Sequence, residues 1–223
     1  ELCKVAMWLE SHSPGEPLGF LDHHIKGGDA IVGLAYRDDL EQGISNEAFK
    51  TLPGDNKEVA KVWLNKNKED HKRLDKETKN KESIQLSTDY TDEITQQIKG
   101  ALSAYNSIIN LPERTPEEIT AKATAYRKYY SNKGQQYLEA MANAQVAQFF
   151  TPKTAEYSDQ LLTHGDYMQM LKGYKGWQGR QTAFANVLSQ EHRFFHWFLE
   201  FPEVFNEGGG FDCILGNPPF LGG

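Results

Sequence analysis

The ten residues Phe211-Asp212-Cys213-Ile214-Leu215-Gly216-Asn217-Pro218-Pro219-Phe220 constrain the fold more than any other stretch of this 223-residue chain. Cys213 to Leu215 is a short apolar run that reads as a buried strand and stops at Gly216. Proline fixes φ near about −65° and turns the preceding residue away from helix, so Asn217-Pro218-Pro219 reads as a stiff, extended loop at the strand's C-terminal end. In open α/β sheets that is the edge at which ligands bind. The Asn217 side-chain oxygen and the Pro218 carbonyl are acceptors held beside the Phe220 ring. Such a set suits a planar group with an exocyclic NH2: the ring stacks on the base and the oxygens take the two amine protons. Hydrogen bonds that strengthen as the amine nitrogen pyramidalises favour the transition state over the ground state. The same tetrapeptide is a common turn starter, so both readings stand at this point.

After an apolar strand, Asn217-Pro218-Pro219-Phe220 resembles the (N/D)-P-P-(Y/F/W) motif of the amino-group methyltransferases that use S-adenosylmethionine. The segment His196-Trp197-Phe198-Leu199-Glu200-Phe201-Pro202-Glu203-Val204-Phe205, with Phe211 to Gly223, is similar to a narrower group. These are the large DNA adenine-N6 methyltransferases of type IIG restriction-modification proteins and of phage-defence systems such as DISARM and BREX. Leu2 to Leu9 and Phe20 to Gly33 resemble the same group, so the likeness covers both ends and leaves the middle uncovered.

The resemblance implies that Asn217, Pro218, Pro219 and Phe220 form the catalytic loop. It also places Asp29 where the family has an acidic or amide residue accepting from the adenine amino group of S-adenosylmethionine, with the Ala30 backbone N–H near the same ring. From its own chemistry, Asp29 reads equally as an Asx-turn or helix-cap residue. By the same resemblance, the glycine-rich cofactor loop and the ribose-binding acid are expected ahead of Glu1, and the target-recognition part after Gly223. The chain alone is therefore expected neither to bind S-adenosylmethionine tightly nor to methylate DNA. The N-P-P-(Y/F) loop also serves enzymes that methylate RNA bases or a protein glutamine amide, and the helical middle also reads as a non-catalytic interaction module.

Charge sets a limit on the mode of DNA contact. With 24 Lys and Arg against 31 Asp and Glu, the formal net charge is −7, unlike the basic footprint of a generic nucleic-acid binder. The bases gather between Ala121 and Arg180, where Lys122, Arg127, Lys128, Lys133, Lys153, Lys172, Lys175 and Arg180 face only Glu139, Glu156, Asp159 and Asp166. Tyr126, Tyr129, Tyr130, Tyr174 and Trp177 interleave with them. Such a mixture either tracks phosphates and stacks bases or packs helices with snorkelling lysines, and packing is the favoured reading. Cys3 and Cys213 at opposite ends give no disulfide framework, and no apolar run approaches the ~20 residues of a membrane span.

Along the chain, Glu1 to Ser11 reads as a helix with Leu2, Val5, Ala6 and Leu9 on one face. It lacks an N-cap, which suggests a longer parent. Phe20 to Gly33 reads as a strand or extended segment ending near Gly28, with Asp29 at its tip. His23 and His24, as strand neighbours, are expected to point to opposite faces and to bind no metal. Helix is expected from about Ser45, with a charged run from Glu58 to Lys81 read as a solvated face and Glu69 paired to Arg73. Ile94, Ile98, Leu102, Tyr105 and Ile109 repeat at helical spacing. Thr115-Pro116-Glu117-Glu118 predicts a capping box opening one helix past Tyr126, Tyr130, Tyr137 and Met141 to just before Thr151. Further helix is expected at Tyr167 to Leu171 and Gln181 to Gln190. His192 and His196 lack the glutamate of a zinc-protease helix and read as packing or capping residues around Phe194, Phe195 and Trp197. Gly208-Gly209-Gly210 reads as a hinge.

The expected architecture is α/β: a partial Rossmann-like sheet of an S-adenosylmethionine-dependent methyltransferase interrupted by a large, mainly helical insertion. Residues 1–44 are assigned to the methyltransferase core, at the end of its cofactor-binding half. Residues 45–195 are assigned to the insertion, and 196–223 to the core again. The implied cofactor is S-adenosylmethionine, and the implied partners are double-stranded DNA with a flipped adenine and other defence-system subunits. The expected location is the cytoplasm, with no membrane and no metal.

Overall fold

The structure is a computed structural model that describes residues 2–11, 17, 19–81, 103–207 and 209–216. Along them run α1 (Leu2–Ser11), α2 (Asp39–Gln42), a 3-10 turn (Asn46–Phe49), α3 (Lys57–Lys81) and α4 (103–109). Then come α5 (Pro116–Tyr130), α6 (Lys133–Ala147), α7 (His164–Leu171), α8 (Arg180–His192), α9 (Trp197–Glu200) and a π-helical turn (Glu203–Glu207). No helix among the described residues is long and apolar enough to cross a membrane.

This corrects the expected fold class. The described residues contain no strand and no Rossmann-like sheet; their one β feature is an isolated parallel bridge between Asp29 and Phe194. A parallel sheet needs several strands covered on both faces, whereas each of these two extended segments has only the other as partner. The Cys213 to Leu215 run is likewise not a buried strand. It pairs with nothing among the described residues, and Ile214 and Leu215 are 72% and 94% exposed. Phe20 to Gly28 is not a strand either, because His24 and Ile25 both donate to the Leu21 carbonyl and close a turn. That turn brings the His23 and His24 rings to 3.8 Å instead of sending them to opposite faces.

The core is built around α6, which packs against α2, α5, α7, α8 and α9. Its alanines Ala140, Ala142, Ala144 and Ala147 are almost fully buried, and small side chains let neighbouring helices approach closely. One hydrophobic cluster joins Leu40, Ile44 and Phe49 near the N-terminus to Met141, Leu162, Ala185, Phe198 and Leu199. Buried polar groups on α6 are satisfied: Gln145 donates to the Asp39 carbonyl at 2.9 Å and accepts from the Tyr167 hydroxyl at 3.0 Å. A second cluster of Phe20, Tyr105, Tyr126 and Tyr129 sits against α4 and α5. Tyr105 and Ile109 therefore pack as their spacing implied, while Ile94, Ile98 and Leu102 lie outside the described residues.

The capping box forms as read: Thr115 Oγ1 accepts from Glu118 N–H at 3.2 Å, and the Glu118 carboxylate accepts from Thr115 N–H at 3.3 Å. The single long helix it was expected to open is two helices. After Ser131, Asn132 takes φ −68°, ψ 141°, and its side chain accepts from Gly134 N–H at 2.8 Å, restarting the chain as α6. The charged run on α3 also has two faces. Arg73 pairs with Asp70 and Glu77 and not with Glu69, while Asn67 is fully buried and Asp70 accepts from Gly165 N–H at 3.0 Å. Asn67 accepts from His164 N–H at 2.7 Å, so α3 satisfies the first amides of α7.

Candidate functional site

Two remote segments meet beside the N-terminus of α9. Asp29 N–H donates to the Arg193 carbonyl at 2.7 Å, Phe195 N–H to the Val32 carbonyl at 2.8 Å, and Trp197 N–H to the Leu34 carbonyl at 2.9 Å. The 29–34 and 193–197 segments thus run parallel, with a turn at Ala30 and Ile31 between the first bond and the second. Glycine makes the approach possible: a Cβ on Gly33 would lie 1.9 Å from the Phe195 carbonyl oxygen, and one on Gly28 2.5 Å from the Phe195 ring. Arg193, with φ 54°, ends α8 in the left-handed region and aims its carbonyl at Asp29.

His196 locks this clasp to the core. Its Nδ1 accepts from Leu34 N–H at 3.2 Å, so Nε2 carries the proton and donates to Asn143 Oδ1 at 2.9 Å. Asn143 in turn donates to Asn186 Oδ1 at 3.0 Å, reaching α8 from α6. Burial lowers the His196 pKa from 6.5 to about 4, keeping the ring neutral. His192 packs against Phe150 and Phe194. His192 is thus a packing residue, and His196 is the N-cap residue of α9. No group of three or more His, Cys, Asp or Glu is placed to hold a metal among the described residues.

Asp29 and Ala30 sit exposed at the turn of the clasp. Asp29 Oδ1 accepts from Ile31 N–H at 3.2 Å in an Asx-turn. Neither Asp29 Oδ2 nor the Ala30 N–H has a hydrogen-bond partner among the described residues.

The Ala30 carbonyl accepts from Trp197 Nε1 at 3.0 Å. Trp197 opens an aromatic stripe at four-residue spacing, Trp197, Phe201 and Phe205, all of which converge on Phe211 with ring centroids 5.5–6.0 Å apart. Tyr36 adds an edge contact to Phe205 at 5.7 Å. Gly209 and Gly210, with φ 73° and 135°, turn the chain back so that Gly210 N–H reaches the Val204 carbonyl at 3.1 Å. Phe211 stands six residues ahead of Asn217; Asn217, Pro218, Pro219 and Phe220 themselves lie outside the described residues.

Trp197, Phe211, Gly33 and Asn143 carry the geometry of the site and were assigned no role from the sequence. The four-residue aromatic spacing was its visible signal; the Gly33 and Asn143 contacts are tertiary and leave none. The basic and aromatic residues of the middle resolve as packing where they are buried, with Tyr126 and Tyr129 in the core and Arg127 and Lys128 outside it.

The clasp, its exposed Asp29 and Ala30 and the aromatic stripe define a helical scaffold that gathers sequence-remote residues at one edge. Residues 1–223 match the family model described as Eco57I restriction-modification methylase. The chain belongs to that family and is a methyltransferase region of a restriction-modification system. Comparison with curated proteins gave no match, and comparison with solved structures gave none.

Proposed function

We propose that this protein transfers a methyl group from S-adenosylmethionine to the N6 amine of adenine in double-stranded DNA, in a restriction-modification or phage-defence system. The observation that supports the reading is the continuous path from Asp29 and Ala30 through Trp197 to Phe211, six residues before Asn217 in sequence. Residues 1–44 and 196–223 supply the methyltransferase part and 45–195 the insertion that braces them. The division is one of role, since a single core spans both boundaries.

S-adenosylmethionine, when bound, supplies an electrophilic methyl on a sulfonium. Asp29 accepts from its adenine amine and the Ala30 N–H donates to the neighbouring ring nitrogen. The target adenine must leave the duplex to be reached. Phe220 stacks on the extruded base, a contact worth ~1–3 kcal/mol. The Asn217 side-chain oxygen and the Pro218 carbonyl hold the amine hydrogens and aim the nitrogen lone pair, while Pro219 stiffens the corner. No strong base is required, because the proton leaves to water after the nitrogen has gained its methyl. The protein works in the cytoplasm, alongside other defence-system subunits.

The test is methylation by the full-length protein with labelled methyl donor, offered DNA, RNA and protein in parallel. The label is expected in DNA, recovered as N6-methyldeoxyadenosine. Recovery in RNA, in a protein glutamine, or in deoxycytidine contradicts the proposal.

A further inference from the structure

Lys26 lies three residues before Asp29 in a setting unlike that of a surface lysine, its side chain only 10% exposed. The ammonium has three N–H donors and three acceptors around it. It donates to the Tyr130 hydroxyl at 2.9 Å and to the Tyr126 hydroxyl, and it pairs with the Glu200 carboxylate at 2.9 Å. It also stands over both tyrosine rings, 5.1 and 4.8 Å from their centroids, where the ring quadrupoles attract a cation.

The hydroxyls extend the tie. Tyr126 reaches the Asp22 carbonyl at 3.2 Å, and Tyr130 donates to the Leu199 carbonyl at 3.3 Å. Lys26 therefore joins three pieces of chain: the turn from Leu21 to Ile25, helix α5, and helix α9. On one side of it in sequence lies the exposed Asp29 and Ala30; on the other side of its ion pair, α9 begins with the Trp197 that holds the Ala30 carbonyl.

We infer that Lys26 is a positioning residue for cofactor binding, fixing the Asp29–Ala30 edge by anchoring its approach to α5 and α9. The inference rests on the cofactor-edge reading of Asp29 and Ala30 given above. Backbone hydrogen bonds hold Asp29 to Arg193 and Ile25 to Leu21, but the segment from Lys26 to Gly28 makes none among the described residues. Lys26 is the side chain that restrains it. Without the ammonium, the edge must be ordered at the moment the cofactor binds, and affinity drops accordingly.

The experiment measures the dissociation constant of S-adenosylmethionine by calorimetry on the full-length protein, with melting of the ligand-free protein as the folding control. Lys26→Met keeps the apolar stem and removes the three donors; it is expected to weaken binding about tenfold, with kcat at saturating cofactor within about twofold. Asp29→Ala is expected to weaken binding at least as much. Because Lys26 acts through that edge, the double variant should bind no more weakly than Asp29→Ala alone. Lys26→Arg, which retains a caged cation, is expected to stay within about threefold of the native value.

Native affinity in Lys26→Met alongside weakened binding in Asp29→Ala overturns the role of Lys26 and leaves the edge standing. Full additivity in the double variant also overturns it. Native affinity in Asp29→Ala removes the edge reading itself, and the role of Lys26 with it. Should Lys26→Met fail to fold, Glu200→Gln cuts the same tie from α9, and unchanged affinity there overturns the inference.

Discussion

His196 joins the clasp to α6, and its chemistry sets how that joint responds to acid. The ring accepts from Leu34 and donates to Asn143, an arrangement available only to the neutral tautomer. Burial lowers the pKa values of His23, His164 and His196 alike from 6.5 to about 4. Between those values the unfolded chain takes up protons that the folded chain refuses. The contribution to stability is thus complete above pH 6.5 and is lost as the pH falls toward 4. For His196, which is 4% exposed, the loss is about 3 kcal/mol. His196→Leu should lower stability at pH 7 by about 1–3 kcal/mol, since two buried partners lose their hydrogen bonds. It should also flatten the dependence of Tm on pH between 6.5 and 4; an unchanged slope in thermal melts would show that His196 does not set it. Gly33 is also tightly constrained. Gly33→Ala forces a methyl against the Phe195 carbonyl, whose neighbours are pinned by the clasp hydrogen bonds, and should cost more than about 1 kcal/mol in urea titrations. Gly176→Ala, which meets nothing within 4 Å, is the control and should be near neutral.

Among the elements, α5 has the most legible start. Thr115→Ala removes one half of the capping box and should destabilise the protein by about 1 kcal/mol in chemical denaturation. No change would mean that tertiary packing alone fixes the helix start. The box could be read from sequence because its two hydrogen bonds lie within four residues. Helices α7 and α8 were legible for a similar reason, from local spacing of apolar residues. The break at Ser131 and Asn132 was missed because Tyr126, Tyr130, Tyr137 and Met141 keep a helical spacing across it, while the N-cap that decides the matter is a single amide. Strands depend on partners far away in sequence. Cys213 to Leu215 has the composition of a strand and Asp29 has a single bridge to Phe194 before the chain turns at Ala30 and Ile31, yet neither is paired on two sides among the described residues. At Asp29 the Asx-turn reading is met, with Oδ1 accepting from Ile31 N–H.

At the scale of the molecule, the described residues are helical where a sheet was expected, and the core runs from Leu40 and Ile44 through α6 to Phe198 and Leu199. The 29–34 and 193–197 segments meet on a helical middle, tied to α6 through His196 and to α5 through Lys26. The aromatic stripe runs from Trp197 to Phe211, six residues before Asn217 in sequence. The central proposal concerns Asn217, Pro218, Pro219 and Phe220, whose amide oxygen, proline carbonyl and aromatic face are proposed to grip a planar NH2. The most direct test is single-turnover methylation of DNA by the full-length protein carrying Asn217→Ala, with S-adenosylmethionine affinity measured alongside. Loss of one preorganised polar group costs ~2.7–4 kcal/mol, so the rate should fall about 100-fold or more while cofactor affinity stays native. A variant that keeps most of its methylation rate contradicts the account.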